Sequence, residues 1–225
     1  MENTLSPRFG IGEWYGYLAD QLTNAERLGF AEISLASRHA EQMCPYRLDG
    51  KAYCSKDGGV CSIRLIEAVA DPETGVIVGG LPVSGDSGQL VLTCPYRFHE
   101  DNLIVSWVGE TVLGDPRPMV AREVGFLESL GGRGQKANAG KIDMVLASQQ
   151  NGDRLEWCAL EIQGVYFSGN KMELEFKQFV DQNGTLAFPA GKRRPDYRSS
   201  GPKRLMPQLQ IKVPTIARWG KKRPW

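Results

Sequence analysis

The sequence lacks an apolar run long enough to cross a membrane. A membrane-spanning helix needs about 18 or more consecutive apolar residues, and no such stretch occurs in the 225-residue chain. The first ten residues, MENTLSPRFG, have an acidic residue at position two and no apolar core of the length that a secretory signal needs. We therefore expect a cytoplasmic protein with no membrane partner.

The sequence also has no low-complexity tract. With 41% apolar and 24% charged residues it has the composition of an ordinary folded protein. Its length allows one substantial core or two small ones. The one internal repeat is the tetrapeptide CPYR, at residues 44–47 and 94–97.

No Cys-x-x-Cys pair is present among the five cysteines. In a reducing compartment a disulfide framework is not expected, and the odd number indicates four cysteines with a shared role and one without. The two CPYR copies bracket two more cysteines, which gives the set Cys44, Cys54, Cys61 and Cys94. Four thiolates can hold a structural metal ion, with zinc as the default, and the proline after each outer cysteine is suited to fixing two loop ends. The alternative is a set of reduced, buried cysteines, because intervals of 10, 7 and 33 residues without a Cys-x-x-Cys pair are a weak metal signal.

Cys158 differs from the other four cysteines. In the segment WCALEIQG it shares one strand face with Leu160 and Ile162, so we predict a core thiol.

Acidic residues are scarce in the last 35 residues, where Asp196 is the single one. The basic residues there are Lys192, Arg193, Arg194, Arg198, Lys203, Arg204, Lys212, Arg218, Lys221, Lys222 and Arg223. A charge run of this kind is either a solvated surface or a site for a phosphate-rich partner. For the second case the DNA-contacting residues are predicted to be Arg193, Arg194, Arg198, Lys203 and Arg204.

The hydrophobic pattern predicts several elements. Trp14, Leu18, Leu22 and Ala25 follow a helical spacing, which predicts an N-terminal helix that ends at Gly29. The segment TGVIVGGLPV predicts a strand and turn within a loop-rich cysteine region. MVAREVGFLE, KIDMVLAS and LEWCALEIQGVYF predict successive strands, and NKMELEFKQFV predicts a helix.

Carboxylates on two of these strands give the clearest chemical signal. Glu161 and Gln163 alternate with apolar residues at the end of one strand, and Asp143 lies in the strand before it. A carboxylate in an apolar strand needs a partner. If the strands are adjacent, Asp143 and Glu161 can share a Mg²⁺ ion, which prefers hard oxygen ligands. Hydrolysis of a phosphodiester would follow, with Gln163 holding the attacking water or a phosphate oxygen.

An aspartate strand followed by Glu-x-Gln resembles the catalytic core of the PD-(D/E)XK nucleases. Ile142 stands in place of the usual proline and Gln163 in place of the usual lysine, which removes a cationic helper. Together with CPYR…GVCS…CPYRF upstream and RPDYRSSGPKRLMPQL downstream, the chain looks like the NotI-type restriction endonucleases, which carry glutamine at this position. The resemblance spans residues 10–222.

The resemblance implies a mixed sheet flanked by helices, an α/β restriction-endonuclease-like core, with a small loop-rich four-cysteine module. It implies a homodimeric type II endonuclease that cuts a GC-rich palindrome in double-stranded DNA with Mg²⁺, alongside a cognate DNA methyltransferase. Asp143, Glu161 and Gln163 match the catalytic positions. Cys44, Cys54, Cys61 and Cys94 match the ligands of a structural iron, with zinc as the alternative. A further acidic residue of the family matches Glu128 or Glu123, and we favour Glu128.

We expect four parts: an N-terminal helical part (1–40), the four-cysteine metal module (41–100), the catalytic core (101–190) and a basic DNA-contacting segment (191–225). The family leads us to expect further DNA-contacting sequence beyond GKKRPW. Two other functions fit the same residues. One is a non-catalytic DNA-binding protein in which Asp143 and Glu161 are structural, and the other is an unspecific repair or recombination nuclease.

Overall fold

The computed structural model describes residues 5–47, 53–130, 136–149 and 155–218. The chain forms two compact units. The first joins Met1–Arg97 with Gly164–Tyr197, and the second joins Phe98–Gln163 with Arg198–Trp225. The N-terminal part and the cysteine segment, which we expected to be separate, therefore belong to one unit, and the expected catalytic core is divided after Gln163.

A five-stranded antiparallel sheet forms the centre of the first unit. Its strands are β1 (Arg8–Trp14), β2 (Tyr17–Leu18), β3 (Val60–Ala70), β4 (Ile77–Pro82) and β5 (Val91–Leu92). They lie in the order β2-β1-β3-β4, and β5 pairs with β3. A separate two-stranded pairing joins β9 (Tyr166–Ser168) and β10 (Arg194–Asp196). The strand expected within TGVIVGGLPV is confirmed as β4.

Two helices pack against each other in this unit, α1 (Asn24–Leu35) and α3 (Glu173–Asp181). Thr23 caps α1 in a capping box, since its hydroxyl accepts from the Glu26 backbone N–H and the Glu26 carboxylate accepts from the Thr23 N–H. The core is aromatic: the fully buried Trp14 ring stacks on Phe176 at 5.3 Å between ring centroids. The helix expected in NKMELEFKQFV is confirmed as α3.

The predicted N-terminal helix is wrong. Trp14 ends β1 and Leu18 ends β2, so their spacing of four arises from two short strands joined by a tight turn. Tyr15 and Gly16 make this turn with positive φ angles of 49° and 92°. Gly29 lies inside α1 rather than at its end.

The second unit is built on a three-stranded antiparallel sheet in the order β6-β7-β8. Its elements are α2 (Leu103–Val108), β6 (Met119–Leu130), β7 (Lys136–Ser148), β8 (Glu156–Leu160) and α5 (Met206–Arg218). A short helix α4 (Tyr197–Ser200) and a π-helical turn (Gly201–Leu205) precede α5. Cys158 is fully buried in an apolar cluster against which Leu160 and Ile162 pack, which confirms the predicted core thiol.

The α/β class is confirmed, and so are the three strands β6, β7 and β8. In the part of the chain that the structure describes, every strand pairing is antiparallel, so the mixed sheet of the prediction is not seen there. None of the described helices is long and apolar enough to cross a membrane.

Candidate active site and cysteine cluster

Strands β7 and β8 bring Asp143 and Glu161 together. The last paired position of the two strands joins Met144 to Leu160, so Asp143 and Glu161 occupy the next position in the same register. The backbone N–H of Ile162 donates to Asp143 Oδ2 at 2.8 Å. The two carboxyl groups are close enough to interact by a hydrogen bond and by charge. The predicted adjacency of the two strands is therefore confirmed.

The environment of Glu161 disfavours a bare negative charge. Only 9% of its side chain is exposed. Burial raises the pKa of Glu161, and the neighbouring Asp143 raises it further, whereas Lys212 acts in the opposite direction. A pair of partly desolvated carboxylates of this kind needs a cation nearby.

One such cation is Lys212, which the sequence indicates only as one of the basic residues of the C-terminal segment 191–225. Its Nζ lies 2.7 Å from Glu161 Oε1 and 3.0 Å from Gln208 Oε1, and it also donates to the carbonyl oxygen of Lys141. Lys212 is 5% exposed. Its charge is therefore directed at the carboxylate pair rather than at solvent.

Helix α5 holds Lys212 in this position. One turn further on, Ile216 lies on the same helix face and is buried with Phe126 and Ile142. Residues of β7 and β8, among them Val145 and Ala159, pack against this cluster. An apolar anchor thus fixes the face of α5 from which Lys212 reaches Glu161.

Gln163 follows Glu161 by two residues and is half-buried. Both residues follow Leu160, where β8 ends, so the strand predicted through Glu161 and Gln163 is shorter than expected. Position 163 of the Glu-x-Gln motif is neutral, and the positive charge beside the carboxylate pair comes from Lys212 on α5.

The register of β6 separates the two further glutamates. Arg122 pairs with Met144 and Val124 with Ile142, so Glu123 lies across from Asp143. Glu123 has a φ of 50°, which is uncommon for a residue other than glycine, and its carboxylate pairs with Lys141 Nζ at 2.9 Å.

Glu128 pairs with Asn138, which precedes Asp143 by five residues along β7. At about 3.3 Å per residue this is a backbone separation of roughly 17 Å. The preference for Glu128 over Glu123 is thus not supported by the strand register.

The four cysteines of the predicted metal module converge in the first unit. Cys44, Cys54, Cys61 and Cys94 all line one cavity of about 10 Å³. This is close to the space that a single water-sized atom occupies. All four thiols therefore line the same small cavity, together with Lys56.

Backbone hydrogen bonds position these thiols. The N–H groups of Thr93 and Cys94 both donate to the carbonyl oxygen of Cys61, at 3.0 and 3.1 Å, which joins β3 to the second CPYR copy. The Cys54 N–H donates to Gln42 O at 2.7 Å, and the Lys56 N–H donates to the Cys54 sulfur at 3.4 Å.

Burial raises the pKa of Cys61 to about 12, and the neighbouring Cys94 adds to the effect. Burial also raises the pKa of Cys54, with Cys44 and Cys94 adding to it. The raised pKa values favour neutral thiols when no metal is bound, and four thiols are the ligand type that a structural tetrahedral site uses. Within the described ranges, no group of three or more histidine, cysteine or carboxylate side chains has the arrangement of a metal site. The thiols therefore converge without having the geometry of a complete site.

The two CPYR copies brace each other through their last residues. The Arg47 guanidinium lies over the Tyr96 ring at 4.9 Å, and the Arg97 guanidinium lies over the Tyr46 ring at 4.8 Å. Each copy thus provides a cation for the aromatic ring of the other. These two contacts link the first CPYR loop to the second.

Arg97 also pairs with a buried carboxylate. Its Nε lies 2.9 and 3.2 Å from the two carboxylate oxygens of Glu13 on β1. Glu13 is 3% exposed, so this is a buried ion pair. The contact favours an intramolecular role for Arg97 over a contact with DNA.

The predicted DNA-contacting residues divide into two groups. Arg194, Arg198, Lys203 and Arg204 are exposed. Arg193 is instead buried, and its guanidinium pairs with the equally buried Glu175. Burial lowers the pKa of Arg193 to about 10. Arg193 is therefore better explained as a structural ion pair than as a phosphate contact.

The sequence did not indicate that Lys212 contacts Glu161 or that Glu13 contacts Arg97. Lys212 is separated from Glu161 by 51 positions and Glu13 from Arg97 by 84. The one local signal was a single acidic residue in the strand FGIGEW, which required a partner for the reason that applies to Glu161.

Comparison with protein families gives a match to the family described as restriction endonuclease NotI, over residues 28–224. Comparisons with curated proteins and with solved structures gave no match.

Proposed function

The chain belongs to the NotI restriction endonuclease family, and we propose that it hydrolyses double-stranded DNA at a GC-rich palindrome with Mg²⁺ held by Asp143 and Glu161. Membership of the family makes the chain a type II restriction endonuclease, a hydrolase that cuts DNA. The metal, the recognition site and the catalytic residues are the proposed part.

The observation that carries the proposal is the convergence of Asp143, within β7, and Glu161, directly after β8. Their oxygens form a hard, partly buried donor set that fits Mg²⁺. The ion, when bound, lowers the pKa of a water molecule and stabilises charge on the phosphate. We assign the β6-β7-β8 sheet to the PD-(D/E)XK catalytic core on this basis.

The chain's own residues have separate tasks at this site. Asp143 and Glu161 hold the cation, and the Ile162 N–H fixes Asp143 Oδ2 at 2.8 Å. Gln163 is placed two residues after Glu161 to hold the attacking water or a phosphate oxygen. For the further acidic position of the family, between Glu128 and Glu123, the β6–β7 register supports Glu123, whose backbone lies across from Asp143.

The four-cysteine cluster is proposed to hold one structural ion, iron by family resemblance and zinc as the alternative. Cys44, Cys54, Cys61 and Cys94 line a cavity of about 10 Å³, which supports a single ion. Metal binding through thiolates would stabilise this loop-rich part of the first unit.

DNA binding is proposed to use the exposed residues Arg194, Arg198, Lys203 and Arg204 as phosphate contacts. Two copies of the chain acting as a homodimer would match a palindromic site, because two-fold symmetry of the protein matches that of the DNA. A cognate methyltransferase would protect the host's own sites.

Plasmid DNA incubated with the protein and Mg²⁺ tests the proposal. Discrete fragments are expected of a site-specific endonuclease. A smear would indicate an unspecific nuclease, and intact plasmid that is retarded on a gel would indicate a DNA-binding protein without cleavage. Chelation of the divalent ion with EDTA should stop cleavage.

A further inference from the structure

Lys212 has the contacts of a fixed functional group rather than of a surface lysine. An ammonium group has three donors, and Lys212 directs them at three acceptors: Glu161 Oε1, Gln208 Oε1 and the Lys141 carbonyl oxygen. A lysine in the basic segment 191–225 would be expected to extend its charge into solvent. The side chain of Lys212 is instead 7% exposed.

The location of this charge matters for the neighbouring carboxylates. Asp143 and Glu161 repel each other when both are ionised, and Gln163 carries no charge to offset them. Lys212 reaches the Oε1 atom of Glu161 from another element, α5, at 2.7 Å. It therefore adds to the site the positive charge that the Glu-x-Gln strand does not contain.

We propose that Lys212 is a positioning residue of the active site, which holds Glu161 Oε1 and offsets the charge of the Asp143–Glu161 pair so that both carboxylates stay directed at one cation. Ile216, one turn along α5, anchors the helix and so fixes this geometry. The proposal rests on the proposed nuclease function.

The alternative is a purely structural lysine that ties α5 to the sheet. The two roles differ in what a substitution changes. A structural lysine affects folding, and with it every activity in proportion. A positioning lysine affects the rate of cleavage while DNA binding and stability are largely kept, and a charge supplied from a neighbouring position can replace it.

Position 163 offers that replacement. Gln163 follows Glu161 by two residues, just beyond Leu160 where β8 ends, so a lysine there introduces a positive charge two residues from the Glu161 carboxylate. The test therefore compares Lys212→Met with the double variant Lys212→Met/Gln163→Lys. Lys212→Gln serves as a milder variant that keeps a hydrogen-bond donor without the charge. Lys177→Met is the matched control, because Lys177 also pairs with a glutamate, at 2.6 Å, but on the exposed surface of α3.

Single-turnover cleavage of plasmid DNA, DNA binding in Ca²⁺ without cleavage, and thermal unfolding are measured for each variant. Removal of a group that orients a metal ligand reduces activity by about 10- to 100-fold. We expect this loss for Lys212→Met, with the DNA dissociation constant changed less than twofold. The double variant should recover at least tenfold of the loss, and Lys177→Met should behave as the unchanged protein.

Equal cleavage by Lys212→Met and the unchanged protein would overturn the inference. So would parallel loss of cleavage, binding and folding in both Lys212→Met and Lys212→Gln without recovery by Gln163→Lys. If the unchanged protein does not cut DNA, the proposed nuclease function is wrong. If the unchanged protein cuts DNA and Lys212→Met cuts it equally well, the inference about Lys212 alone is wrong.

Discussion

Replacing Arg97 with methionine removes the cation that pairs with the buried carboxylate of Glu13. The two groups meet at 2.9 Å, and 4% of the Glu13 side chain and 16% of the Arg97 side chain are exposed. The substitution keeps an unbranched side chain of similar length, so packing against Tyr46 is largely preserved. What remains is a desolvated carboxylate without its partner.

The expected loss of stability is large. Removing one partner of a buried ion pair costs about 3–5 kcal/mol, and the partial exposure of Arg97 places this pair near the lower end. The contact of the half-buried Arg47 with the Tyr96 ring contributes about 0.5–1 kcal/mol, so Arg47→Met should cost less than Arg97→Met. The two CPYR copies, identical in sequence, are therefore predicted to respond very differently.

Urea and thermal unfolding of the two variants at equal metal content measure the difference in their free energies of unfolding and melting temperatures. For a chain of this size a loss of 1 kcal/mol lowers the melting temperature by about 2–4 °C, so Arg97→Met should melt roughly 6–12 °C below the unchanged protein. Adding Glu13→Gln to Arg97→Met should recover part of the loss, because a neutral amide is less costly to bury than a carboxylate. Equal, small losses for Arg97→Met and Arg47→Met would refute the reasoning.

Three further predictions concern Gln163, Cys54 and the core thiol Cys158. In single-turnover cleavage, Gln163→Ala should slow the reaction less than loss of a metal ligand does, and Gln163→Lys should be tolerated. A wild-type rate for Gln163→Ala would show that Gln163 has no role in cleavage. The purified unchanged protein should carry about one metal ion per chain by elemental analysis, and it should be coloured if the metal is oxidised iron. Cys54→Ser should lose both the bound metal and stability. A metal-free unchanged protein that is as stable as Cys54→Ser would contradict this prediction. Burial raises the pKa of Cys158 from 9.0 to about 11, so at pH 8 its neutral thiol should resist alkylation until the protein unfolds. The stability contributed by that neutral thiol is complete below pH 9 and is lost as the pH rises through about 11; alkylation of Cys158 in the folded protein at pH 8 would count against the burial.

The sequence predicts well those features that depend on local pattern. Alternation in KIDMVLAS and LEWCALEIQ predicts two strands, and their closeness in the chain makes adjacent pairing the simple arrangement, which places Asp143 beside Glu161. Cys158 follows from the same alternation. These features need only neighbouring residues and a short connection.

Other features depend on pairings that no local pattern contains. The spacing of Trp14, Leu18 and Leu22 fits a helix, but Tyr15 and Gly16 turn the chain between two strands, and the capping box at Thr23 marks the true helix start. The contact of Lys212 with Glu161 requires α5 to be placed on the β7–β8 sheet. Strand register, which favours Glu123 over Glu128, is likewise set by the pairing of β6 with β7 and not by either sequence alone.

Cleavage by variants of the carboxylate pair tests the central claim most directly. Asp143→Asn and Glu161→Gln keep the shape of each side chain and remove the charge that holds the cation, and Asp181→Asn, at the exposed end of α3, is the matched control. On one labelled plasmid, with Mg²⁺ for cleavage and Ca²⁺ for binding, we predict that both site variants bind DNA within about twofold of the unchanged protein and do not cut it, because metal ligands act on the reaction and phosphate contacts on binding. The control should cut normally. Cleavage by either site variant at the rate of the unchanged protein would contradict the assignment of the active site to Asp143 and Glu161.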